Sequence, residues 1–213
     1  MANVDASQHP EPESGNDPQD RRADGEKRLV TTLLVAHLLT PRDDGLCRVR
    51  NISSGGARLE TPMPLRPGDE VRVELRGEIA LVGHICWTSP GAAGMQFTAP
   101  VDTDMVLHGS EAGVQWHHRM PRIPTQCPVT ARQHGRIVHA DMMDINPCGA
   151  RLTNLQLPLA DGLFTLNIPQ LDPVEGTIRW RKEESAGVRF TRPIPFSVLA
   201  GWLHYSPARF ALR

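Results

Sequence analysis

Apolar and polar residues alternate with a period of two in three short stretches: CRVRNI at 47–52, DEVRVELR at 69–76 and FTLNI at 164–168. Successive side chains on a strand point to opposite faces, so each stretch predicts a strand with one buried face. PGD at 67–69 and ADG at 160–162 signal turns, and RGE at 76–78 predicts a hairpin tip. Helical spacing is rarer. Phe196, Leu199, Ala200 and Leu203 share one face over 195–205, and 102–109 is a shorter, weaker match.

The pattern occurs twice. NISSGGARLE at 51–60 returns as DINPCGARL at 144–152, and sliding the chain by 93 residues aligns 51–97 with 144–190 without a gap. Eleven of those 47 positions are identical, among them Gly56/Gly149, Arg58/Arg151, Gly83/Gly176, Trp87/Trp180, Gly94/Gly187 and Phe97/Phe190. The apolar phase is kept between the identities, with Val71, Val73 and Leu75 answered by Phe164, Leu166 and Ile168. A tandem duplication accounts for this. Short, closely spaced strands separated by turns suit a small barrel, which closes to remove its sheet edges. The expected fold is all-β: two tandem six-stranded barrels, each followed by a short C-terminal helix. Gly83 and Gly176 lie inside strand patterns, where a bulge or a barrel corner is the usual reason. Trp87 and Trp180 could stack on bases, but their strand-end positions favour core packing.

Composition adds boundaries. The first residues carry prolines, acids and almost no large apolar side chains, so 1–27 is expected to be a disordered tail. The expected domains are 28–109 and 118–213, joined by a linker at 110–117. A formal net charge of −1 argues against general binding to nucleic acid or membrane; no apolar h-region lies near Met1 and no apolar run reaches about 18 residues, so neither a signal peptide nor a membrane span is expected. Cys47, Cys86, Cys127 and Cys148 form no CxxC pair and are expected as reduced thiols in a cytoplasmic protein. No compact Cys/His cluster is present, and adjacent His117 and His118 would point apart on an extended strand, so no metal is expected. No nucleophile elbow, phosphate loop or recognisable carboxylate pair appears, so no catalytic residues are expected and the protein is read as a non-enzyme.

The doubled turn carries the candidate chemistry. Asn51 and Ser53, two apart at a strand end, place two hydrogen-bonding groups on one side of the chain, and glycines beside them let a flat ligand approach the backbone. Upstream arginines accompany both copies: Arg28 stands 23 residues before Asn51, and Arg122 stands 22 before Asp144. Arg58 and Arg151 could reach a ligand or fork onto a carboxylate. From Ala112 to Ala140 there is no acid, while Arg119, Arg122, Arg132 and Arg136 fall inside, so an anion there would meet a positive field.

Arginine, strand, strand and polar turn in this order resemble the PilZ domain, the bacterial receptor family for cyclic di-GMP. Its marks are an RxxxR at the entrance to the first strand and a [D/N]xSxxG after the second. The resemblance covers about 28–109 and 118–210. It implies that the arginine pair grips phosphates and guanine edges, that the turn's Asp or Asn and Ser bind a guanine, and that no bond is made or broken. In the first copy Asn51, Ser53 and Gly56 match the turn and Arg28 matches the second arginine. Asp24 stands in place of the first arginine, with Arg21 and Arg22 further out as a substitute. In the second copy Arg122, Asp144 and Gly149 match, His118 replaces the first arginine with Arg119 beside it, and Asn146 replaces the Ser. The resemblance therefore implies a non-enzymatic receptor or adaptor with cyclic di-GMP as ligand. It also implies a motility, pilus or other regulatory protein as partner. The incomplete motifs support an alternative, a degenerate scaffold that binds protein without nucleotide.

Overall fold

The computed structural model describes residues 29–75, 79–108, 120–155 and 159–211. The tail, the linker and the hairpin tip at 76–78 lie outside the described residues, as do Arg21, Arg22, Asp24, Arg28, His117, His118 and Arg119. Six strands form the first unit: β1 (Leu29–Leu39), β2 (Asp44–Ile52), β3 (Gly56–Glu60), β4 (Glu70–Leu75), β5 (Ile79–Ser89) and β6 (Ala92–Phe97), followed by α1 (Thr103–His108). The second contains β7 (Ile123–Gln133), β8 (Arg136–Asn146), β9 (Gly149–Thr153), β10 (Phe164–Asn167), β11 (Val174–Lys182) and β12 (Ser185–Phe190), then α2 (Phe196–Tyr205). Each set closes into a barrel, in the order β1-β2-β3-β6-β5-β4 and β7-β8-β9-β12-β11-β10. The strands pair antiparallel throughout. The all-β tandem fold read from the repeat is the observed one.

Period-two burial builds both cores. Val71, Val73 and Leu75 point inward while Glu70 and Arg72 are exposed, and Phe164 and Leu166 fill the second barrel in the same phase. His134 and Gly135 both take positive φ, at 47° and 77°, which turns β7 tightly into β8. Gly83 pairs with Val71 of β4 on one side and Phe97 of β6 on the other, so it marks the corner where β5 passes between neighbours. A Cβ there would run into the Gln96 carbonyl. The bulges themselves fall further on, at Cys86 and Arg179, where the register shifts between Ile85 and Trp87 and between Ile178 and Trp180.

Four cysteines are free thiols. Burial pushes the Cys47 thiol up to about 12, and burial with the nearby Asp141 carboxylate pushes Cys127 up to about 11, so both are inert core residues. No helix among the described residues is long and apolar enough to cross a membrane.

The barrels pack against each other through the end of the second. Phe196, Leu199, Ala200, Trp202 and Leu203 of α2 are buried, one residue more than the periodicity indicates. Leu46 of β2 joins that second core, and the Arg48 guanidinium lies 4.1 Å above the Phe196 ring. After α2, a 3-10 turn (Pro207–Phe210) presents Arg209, only 2% exposed. Its Nη2 donates to both Asp44 carboxylate oxygens at 2.8 Å, its Nη1 to the carbonyls of Asp44 and Leu203, and its Nε to that of Pro124. His37 Nε2 lies 2.7 Å from Asp44 Oδ2. Burial would raise the Asp44 carboxyl, but the His37 hydrogen bond and the Arg209 charge and hydrogen bond outweigh it and hold it below the usual carboxylate value.

Candidate functional site

Each polar turn is built by the same backbone connections. In the first copy Phe97 N–H donates to the Gly55 carbonyl and Val101 N–H to that of Ser54, both at 2.9 Å. In the second, Phe190 N–H donates to Cys148 at 2.9 Å and Ile194 N–H to Pro147 at 2.8 Å. Gly56 and Gly149 begin β3 and β9 directly beside β6 and β12, where a Cβ would collide with the carbonyls of Met95 and Val188. Glycine is required there by close backbone approach.

The turns differ in what their side chains do. In the first, Ser53 N–H donates to the Gly56 carbonyl at 2.9 Å and its Oγ makes a long 3.4 Å bond to the same oxygen. Asn51 and Ser53 are both half-buried. Among the described residues no carboxylate pairs with Arg58, the cross-strand partner of Asn51. In the second, Asp144 accepts from Arg122 Nη1 at 2.6 Å through Oδ1 and from Arg151 Nε at 2.8 Å through Oδ2. The alternatives left open for Arg151 resolve in favour of the carboxylate. Asn146 is buried: its Oδ1 accepts from Cys148 N–H at 2.9 Å, and its Nδ2 donates to the Met120 carbonyl at 3.4 Å. It caps its own turn, and both ends of the amide are engaged.

Beside this turn lies a cleft of about 700 Å³ on the outer face of β9, β12 and β11. Arg122, Asn146, Cys148 and Gly149 form one wall, and Thr177, Arg179, Trp180, Gly187 and Arg189 form the rest. Trp180 overturns the expectation of core packing. It is 42% exposed, and Trp87 is 43% exposed. Each indole lies flat over a glycine of the next strand, Gly94 under Trp87 and Gly187 under Trp180, where a Cβ would strike the ring nitrogen. The bulge before each tryptophan turns the ring outward.

Of the sequence-derived candidates, Arg122, Asn146 and Gly149 line one cleft, Asp144 is bridged to it through Arg122, and Asn51, Ser53 and Gly56 share one turn. Arg22, Arg28 and Arg119 lie outside the described residues. Arg179 and Arg189 were not among the candidates, and Trp180 was weighed for base stacking but assigned to the core. The signal was available in the difference between the copies, where Cys86 and Gln96 are answered by arginines 93 residues later.

This architecture defines a tandem small-barrel protein that presents a polar turn and an arginine-lined cleft on one outer sheet face. The PilZ domain model matches residues 20–108 and 117–199, and the chain belongs to that family. No curated protein matches the chain. Similar solved structures include the PlzA protein of Borreliella burgdorferi in complex with c-di-GMP, at 10% identity over 84% of this chain and 93% of that one, with a TM-score of 0.39. The Bacillus subtilis inhibitor of motility MotI/DgrA follows at 11% identity, 82% and 96% coverage and a TM-score of 0.34. YcgR from Escherichia coli in complex with c-di-GMP stands at 12% identity, 78% and 79% coverage and a TM-score of 0.30.

Proposed function

We propose that the chain is a non-enzymatic, cytoplasmic receptor for cyclic di-GMP that changes its inter-barrel or partner contacts on binding. The observation that carries this reading is the second-barrel cleft, which combines exposed guanidinium groups, an open indole face and a glycine floor. Guanidinium groups suit phosphodiester oxygens and guanine edges, and the indole suits a purine face. The first barrel offers the intact Asn51, Ser53 and Gly56 turn beside an Arg58 that no described carboxylate holds. The ligand's charge is met by positive side chains without a bond being made or broken.

One observation favours the second reading, a scaffold that docks a motility, pilus or other regulatory protein without nucleotide. Both carboxylate oxygens of Asp144 are engaged by arginines, and Asn146 is used up within its turn. Calorimetric titration of cyclic di-GMP into the full chain decides between them, alongside Arg28→Ala and Arg122→Ala variants. Micromolar binding weakened by about 10- to 100-fold in one variant establishes the receptor and identifies the barrel. Absence of heat and of thermal stabilisation up to about 100 µM ligand leaves the scaffold.

A further inference from the structure

The two barrels share one backbone plan, and the outer faces of their last hairpins differ in charge. Cys86 and Gln96 of the first barrel stand where Arg179 and Arg189 stand in the second, 93 residues on. Cys86 Sγ and Gln96 Oε1 lie 3.6 Å apart, so these two positions are neighbours on the outer face of the sheet. In the second barrel both arginines are exposed and both line the cleft.

The bulge explains how. Consecutive residues on a regular strand point to opposite faces. Arg179 is the extra residue of the β11 bulge, so it and Trp180 both face outward and both reach the cleft. Arg189 lies across the sheet from Gly149 on one side and Thr177 on the other, in the row that forms the cleft floor. Gly149 lines the cleft too, where the close approach of the Val188 carbonyl leaves no room for a side chain.

Electrostatics separates these arginines from the motif arginine. Arg122 and Arg151 are both committed to Asp144, at 2.6 and 2.8 Å, and the three groups together carry one net positive charge. Among the described residues no carboxylate pairs with Arg179 or Arg189, and no acidic residue lines the cleft. An incoming dianion therefore meets two uncompensated charges on the hairpin, beside the single net charge that Arg122, Arg151 and Asp144 share.

Resting on the receptor reading above, we infer that Arg179 and Arg189 are the phosphate-gripping residues of the second barrel. They replace the family's first arginine, whose place His118 occupies. The specificity this confers is for a ligand with phosphodiester groups flanking a flat base, the base lying on Trp180.

The first barrel supplies the substitutions that test this. In a full chain carrying Asn51→Ala and Ser53→Ala to disable the first turn, cyclic di-GMP is titrated by calorimetry before and after Arg179→Cys and Arg189→Gln. Arg181→Gln is the charge-matched control, since Arg181 sits on the same strand, is paired with Asp161 and does not line the cleft. Each of the first two is expected to weaken binding about 10-fold or more, with melting temperature unchanged, and the control by less than about threefold. Equal affinity in all variants overturns the assignment while leaving the receptor reading intact. So does equal weakening by the control, which marks a bulk charge effect. Binding by the unmodified chain that vanishes in the Asn51→Ala/Ser53→Ala background also overturns it and places the ligand in the first barrel. No binding by the unmodified chain removes both the assignment and the receptor reading.

Discussion

Asp144 is the residue on which the two copies part company. A carboxylate that receives a guanidinium on each oxygen neutralises part of the field an anionic ligand needs, whereas Asn51 at the matching position does not. Both arginines are at least 40% exposed, so solvent screens the pairs and their contribution to stability is small. Asp144→Asn is accordingly expected to lower the unfolding free energy by no more than about 1 kcal/mol. On the receptor reading proposed above, it should tighten cyclic di-GMP binding at the second barrel by roughly three- to tenfold, because two guanidinium groups are released. Calorimetry on the Asn51→Ala/Ser53→Ala background reads the second effect and urea denaturation the first. At this scale the sequence was legible where chemistry depends on residue type, as with Arg122, Asp144 and Gly149. It misled at Trp87 and Trp180. A large apolar ring near a strand end reads as core, and only its recurrence seven residues before Gly94 and Gly187 hints at a ring laid on a bare backbone.

The turn between the second and third strands of each barrel explains why the chain wrote the same motif twice. Its carbonyls receive the end of the last strand and the lead into the helix, so the turn closes the barrel whatever it binds. Asn146 shows the structural side of this. With hydrogen bonds at both ends of a buried amide, Asn146→Ala strands the Cys148 N–H and the Met120 carbonyl. A loss of about 1–2 kcal/mol is expected in urea unfolding monitored by circular dichroism. The strands, the turns at 67–69 and 160–162 and both helices were legible because period-two burial and turn residues are local signals, and the repeat let each copy check the other. The bulges were not. A bulge is a mismatch of register between two strands, and a glycine three residues away announced the corner instead.

At the scale of the molecule, Arg209 holds the barrels together across 165 residues of sequence. Removing one partner of a buried pair leaves an uncompensated charge, so Arg209→Ala is expected to cost about 3 kcal/mol and to split a single unfolding transition into two in calorimetry. The pH dependence has a definite sign. Asp44 titrates lower in the folded protein than the roughly 3.9 of an unfolded Asp, so its contribution is fully present above the unfolded value and is lost as pH falls through the folded one. The unmodified chain should therefore lose more stability than Arg209→Ala below about pH 4 in acid titrations followed by fluorescence. None of this was legible in the sequence, because neither partner has a counterpart in the other copy: Arg209 aligns with Trp116 and Asp44 with Ile137. That asymmetry bears on assembly. The tail of the second barrel docks on the β2 strand of the first, a head-to-tail contact of the kind that propagates into filaments when every unit offers both surfaces. The matching strand of the second barrel offers Ile137, 52% exposed, where the first offers a carboxylate. A further copy arriving with its own Arg209 would bury a cation against an isoleucine, so by this contact the series stops at two.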